Sequence, residues 1–105
     1  MISKIIKISA AWCAPCRAFA PIFDKVSEME DYKSIKFEKI DPDDSTTEEQ
    51  NLMLKYNVRN IPTTLYFDEN DKLLDKTIGS LSEAQFISKI GELNKNNETK
   101  KEENS

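Results

Sequence analysis

Apolar positions divide the chain into segments of two different periods. Ile2, Ile5, Ile6 and Ile8 crowd the first nine residues, and β-branched side chains of this kind favour a strand. The adjacent pair Ile5–Ile6 puts apolar groups on both faces of that strand, as in a sheet covered on both sides. From Trp12 to about Glu30 the period changes. Phe19, Ile22, Phe23, Val26 and Met29 recur at three- and four-residue steps and make one apolar helix face. Pro15 falls in the first turn of this helix, where a missing N–H costs nothing. Pro21 falls in the interior, where a kink is expected.

Ile35 to Ile40 reads as a second strand. Asp41 to Thr47 is a polar loop, and Thr46 or Thr47 caps a helix through Glu48–Tyr56 with Leu52, Met53 and Tyr56 on its apolar side. Ile61-Pro62 precedes a strand of Thr63 to Phe67. Asp68 to Asp71 is turn chemistry, and Lys72 to Ile78 returns as the second arm of a hairpin. Gly79 punctuates. Ser82 with Gln85 opens a last helix whose apolar residues are Leu81, Phe86, Ile87, Ile90 and Leu93. From Asn94 onward no apolar residue remains, so residues 95–105 are expected to be a disordered charged tail. The order βαβαββα over residues 1–94 predicts an α/β domain: a four-stranded mixed sheet covered by helices on both faces, with a right-handed βαβ crossover in its first half.

A chain of 105 residues fits one such domain. Its 15 Lys+Arg against 19 Asp+Glu give a net charge of −4, which argues against nucleic acid as a partner. There is no His. That excludes Ser-His-Asp and Cys-His catalysis, His-ligated zinc and haem on a proximal His. Lysines interrupt the isoleucines of the first nine residues, so no apolar run there has the length of a signal segment, and no stretch is long enough to cross a bilayer. The expectation is a cytoplasmic protein that does not bind membranes. Thiols are normally kept reduced in that compartment.

The only two cysteines are Cys13 and Cys16, in Ala11-Trp12-Cys13-Ala14-Pro15-Cys16-Arg17. They fall at the junction of the first strand and the first helix. Two intervening residues on a first helical turn bring the pair within disulfide reach. Cys13 is expected at the helix N-cap, where a thiolate faces unpaired N–H groups and the positive end of the helix dipole. Cys13 is therefore the attacking thiolate, and Cys16, one turn in and more shielded, resolves the mixed disulfide. Pro15 stiffens the ring and Trp12 offers an apolar wall. A Cys-x-x-Cys can also be half of a zinc site, but the other half is missing here, so no metal is expected.

Trp12-Cys13-Ala14-Pro15-Cys16-Arg17 resembles the Trp-Cys-Gly-Pro-Cys-Lys active site of thioredoxins. Ile61-Pro62-Thr63 resembles the family's Ile-Pro-Thr segment, and Pro21, Asp41 and Gly79 fall where the family has a helix proline, a strand-ending Asp and a Gly after the last strand. The resemblance covers about residues 2–94. It implies a thioredoxin-like fold, a cis Ile61–Pro62 bond and reduction of protein disulfides without a bound cofactor. It also implies a docking groove of Trp12, Ala14, Pro15, Ile61, Pro62 and Gly79. The implied partners are disulfide-bearing proteins and a thioredoxin-reductase-like or other thiol donor that regenerates the dithiol, the protein itself acting as a monomer.

The resemblance begins at the family's second strand, which leaves residues 35–40 on an open sheet edge guarded by Lys36 and Lys39. Ala14 replaces a Gly, with a modest effect on redox potential expected. Where the family buries an Asp beneath the resolving cysteine, this chain has Lys7. Either Lys7 snorkels its charge out of the strand face, or it is partly buried and modulates proton transfer at the dithiol. The acidic loop Asp41–Glu49 has no Gly and no regular ligand spacing, and is expected to be solvated. Two alternatives to disulfide reduction of proteins are a glutaredoxin-like activity on glutathione mixed disulfides and an accessory binding subunit.

Overall fold

The computed structural model describes the backbone of residues 1–104 and the side chains of residues 1–95. The isoleucine-rich start forms β1 (Ile2–Ile8), followed by α1 (Ala14–Ser27), β2 (Lys36–Ile40), α2 (Thr47–Lys55), β3 (Thr63–Asp68), β4 (Leu73–Ile78) and α3 (Glu83–Asn104). The strands form one sheet in the order β2-β1-β3-β4. β1 runs parallel to β2, while β3 runs antiparallel to both of its neighbours. This is the mixed four-stranded sheet expected from the order of elements. Pro21 lies inside α1, which runs on as one uninterrupted helix.

β1 is central and buried on both faces, which is why its sequence is a near-continuous apolar run. Ile5 packs with Phe19, Phe23 and Val26 of α1, Tyr66 of β3, and Phe86 and Ile90 of α3. The opposite face carries Ile6 and Ile8 with Ile40, Leu65 and Phe67, covered by Leu52, Met53 and Tyr56 of α2 and its C-cap. Aromatic rings knit the first layer: Phe23 stacks on Phe86 at 5.8 Å, and Phe19 meets Phe86 edge-on at 5.3 Å. Each fully buried side chain of this size contributes roughly 1.5–3 kcal/mol.

The helix starts carry their own signals. Thr46 and Glu49 form a reciprocal capping box at α2, and Ser82 and Gln85 exchange the same pair of bonds, at 2.9 and 3.1 Å, at α3. Leu93 packs on the core, and the Asn94 side chain accepts a bond from the Ile2 N–H at 2.8 Å. The tail expected over 95–105 lies, but for Lys95, outside the residues described with side chains; the backbone of α3 runs to Asn104. β2 is an edge strand, with Lys36 and Lys39 exposed along it.

Candidate active site

The sheet register assembles the site. Ile8, the last residue of β1, pairs with Ile40 on one side and with Thr63 on the other, and Thr63 pairs with Ile78. The segments after β1, after β2, before β3 and after β4 therefore meet at one end of the sheet. Those segments carry Cys13, Asp43, Ile61–Pro62 and Gly79.

Cys13 is the N-cap of α1. Its Sγ accepts the Cys16 backbone N–H at 3.3 Å, and its own N–H is tied to the Ala10 carbonyl at 3.2 Å. The sulfur takes the place of the oxygen that usually caps a helix, so the first turn points its unpaired N–H groups at a group able to carry negative charge. No acidic side chain stands in that turn to compete. The Cys13 thiol also donates to the Ile61 carbonyl at 3.8 Å, a long contact of the kind sulfur makes. Both cysteines are free thiols and buried, Cys13 at 8% and Cys16 at 2% exposure. Burial pushes the Cys16 thiol up, and the bond from Cys13 adds to this; the Ala10 backbone and the charge of Lys7 pull the other way.

The expected groove residues fall around Cys13. The Ile61–Pro62 bond is cis. The Pro62 carbonyl accepts the Gly79 N–H at 2.8 Å, and Gly79 has φ +97°, a conformation that favours glycine. Ala14 and Pro15 are exposed beside the sulfur, Ile61 and Gly79 are half-buried, and Pro62 is buried. A cleft of about 250 Å³ joins Trp12 to Ile61 over Ile8 and Met53.

One feature differs from the sequence expectation, one adds to it, and one decides between its alternatives. Trp12 does not lie as a closed wall on the sulfur: it is 69% exposed, and its indole N–H donates to Asp43 Oδ2 at 2.6 Å. The acidic loop is largely exposed, as expected, and Asp43 within it has this partner. Asp41 caps a short 3₁₀ turn, Pro42–Asp44, by accepting the Asp43 N–H, and that turn aims Asp43 at Trp12. Asp43 is a site residue that sequence reasoning missed, because the two partners stand 31 positions apart with no pattern linking them. Lastly, Lys7 does not snorkel. It is 3% exposed, with Nζ 5.1 Å from the centre of the Phe23 ring.

A βαβ unit and a ββα unit share one sheet, with paired thiols at the first helix start facing a cis-proline loop; this defines an α/β fold with a dithiol site. The sequence model described as Thioredoxin matches residues 2–92. The chain is 36% identical over 69 residues to thioredoxin Asp f 29 of Aspergillus fumigatus, covering 66% of this chain and 59% of that protein. It is 36% identical over 86 residues to the chloroplastic M-type thioredoxin of Pisum sativum, covering 82% of this chain and 46% of that protein. The crystal structure of a Malassezia sympodialis thioredoxin superposes with a TM-score of 0.71 at 25% identity, over 85% of this chain and 72% of that one. The chain thus spans 59% and 46% of the lengths of the first two relatives. The chain belongs to the thioredoxin family.

Proposed function

We propose that the chain reduces disulfides in proteins by thiol–disulfide exchange. The observation that carries this is the Cys13 sulfur at the helix N-cap, 3.3 Å from the Cys16 N–H, beside the Ile61 carbonyl. The Cys13 thiolate attacks one sulfur of a substrate disulfide, forming a mixed disulfide and releasing the other sulfur as a thiolate. Cys16 then loses its proton and attacks the Cys13 sulfur. The Cys13–Cys16 bond forms and the remaining substrate sulfur leaves with its electron pair. Two electrons pass to the substrate, and a reductase or small thiol returns them to the dithiol.

Trp12, Ala14 and Pro15 on one side, and Ile61, Pro62 and Gly79 on the other, form the groove for the substrate segment. Both cysteines and the whole groove come from one chain, which supports action as a monomer. A dithiol kept ready to donate electrons fits a reducing, cytoplasmic setting. Among the described residues no helix is long and apolar enough to cross a membrane.

Insulin reduction with a chemical thiol donor tests this reading. Cys13→Ser is expected to abolish turnover, and Cys16→Ser to accumulate a mixed disulfide through Cys13. Turnover retained in Cys13→Ser, or activity confined to glutathione mixed disulfides, would refute it.

A further inference from the structure

Lys7 sits on β1, one residue before Ile8, and pairs with Lys39 of β2 and Thr64 of β3. Its Nζ lies over the Phe23 ring, so the side chain points to the face that α1 covers. Aromatic faces attract cations, which suits an ammonium group there. Few charges surround it. Lys39 on β2 adds a like charge, but it is engaged by Asp24 of α1 at 2.7 Å. Thr64 on β3 is neutral, and α3 brings apolar Phe86 to this face. Among the described residues Lys7 has no ion pair and no side-chain hydrogen bond. Two other ionisable groups face this layer: the Tyr66 phenol of β3, whose hydroxyl is paired with Thr77 at 2.9 Å, and Cys16, also nearly fully buried and without such a side-chain partner across the sheet. A cleft of about 310 Å³ lined by Ser9, Ala10, Arg17 and Ala20 reaches Cys16, giving water a route to it.

We propose that the Lys7 ammonium is the counter-charge of the Cys16 thiolate, a positioning residue that favours the resolving step of the exchange reaction. This deepens the disulfide-reduction reading and rests on it. While Cys16 is a thiol, Lys7 is a buried cation without a partner. When a mixed disulfide forms on Cys13, Cys16 must ionise, and its proton passes to water. The new anion then meets a charge already in place. As the Cys13–Cys16 bond forms and the substrate thiolate leaves, the anion is carried away and Lys7 is again alone. Burial lowers the Lys7 pKa and the Lys39 charge adds to that, while Asp24 and Cys16 oppose it. Lys7 in turn holds the Cys16 thiol below where burial alone would put it.

A bis(nitrobenzoate) disulfide tests the proposal without a protein substrate. Attack by Cys13 releases one coloured aryl thiolate, and resolution by Cys16 releases the second, so stopped-flow absorbance separates the two steps. In Lys7→Met the pH midpoint of the second release is expected to rise by about one unit, the low end for loss of a buried opposite charge. The thiolate fraction then falls about tenfold, and greater intrinsic nucleophilicity returns about threefold of that. The second release, referred to the first, slows about threefold at neutral pH. An unchanged midpoint and ratio overturn the proposal. Absence of any second release from the unsubstituted protein overturns the dithiol reading, and this proposal with it. Should Lys7→Met fail to fold, Lys7 itself is titrated by NMR in the unsubstituted protein. Its midpoint is expected about one pH unit lower in the disulfide form than in the dithiol form, and equal midpoints refute the counter-charge role.

Discussion

Thr64 offers an unusual opportunity to stabilise the protein by removing a polar atom. Its side chain is fully buried, and among the described residues its Oγ1 has no hydrogen-bond partner. The nearest candidate on β4, the Thr77 hydroxyl, is already paired with the Tyr66 hydroxyl at 2.9 Å. Thr64→Val keeps the branched shape and the strand preference. It exchanges the unpaired hydroxyl for a methyl group. A buried hydroxyl without a partner costs about 1–3 kcal/mol, and the new methyl adds apolar burial, less any misfit in the packing. A net gain of about 1–2 kcal/mol raises the melting temperature of a domain this size by roughly 5–10 °C. Thermal unfolding of the reduced protein by circular dichroism, with urea midpoints at constant m-value, measures it. A lower midpoint in Thr64→Val would refute the reasoning. It would mean that the hydroxyl has a partner in solution, and the cross-strand neighbour able to donate is Lys7. A double-mutant cycle with Lys7→Met would then show coupling, whereas an unpartnered hydroxyl predicts additivity within a few tenths of a kcal/mol.

Tyr66 makes the fold sensitive to alkali: burial pushes its phenol from 10.0 up to about 12, with the bond to Thr77 opposing and Asp75 adding. A pKa raised by folding contributes stability that is complete below pH 10 and is lost as pH climbs towards 12, about 3 kcal/mol in all. Urea midpoints across this range should fall less steeply in Tyr66→Phe, which starts about 1 kcal/mol less stable for want of the Thr77 bond; equal slopes would contradict the assignment. Gly79→Ala should destabilise by about 1–2 kcal/mol through backbone strain at φ +97°, since a Cβ there meets nothing within 4 Å. It should also raise KM for insulin, because the Gly79 N–H holds the Pro62 carbonyl. Unchanged stability would sink the strain argument.

What could be read from the chain depended on how local the signal was. The two faces of β1 and the apolar stripe Phe19, Phe23 and Val26 are written in residue spacing, because side-chain direction follows backbone period. The Cys13 cap was legible for the same reason: a strand, a short turn and a proline near the helix start leave one place for it. Trp12 and Asp43 were not legible as a pair. Their contact depends on two loops brought together by β1–β2 pairing, and either residue alone reads as surface. The burial of Lys7 was likewise open. A lysine on a strand can reach water unless something covers its path, and what covers it here is Phe23, placed by the docking of α1.

The fold also explains how the charge beneath Cys16 can be changed without rebuilding the segments that meet at Cys13. Successive residues of β1 face opposite ways. The row Ile40–Ile8–Thr63–Ile78 lines up the ends of the strands and so fixes where the loops of the site meet. The row one step behind it, Lys39–Lys7–Thr64–Thr77, turns to the α1 and α3 side. That row is a polar band at the edge of an otherwise aromatic and aliphatic layer. None of its side chains belongs to the segments that meet at Cys13 or carries a sulfur, so changing one leaves those segments in place while altering the field at Cys16. A carboxylate at position 7 would oppose the Cys16 thiolate, and an ammonium favours it. Lys7→Met and Thr64→Val therefore separate two quantities that mutation of the cysteines cannot: the electrostatics of the resolving step and the stability of the layer that holds it.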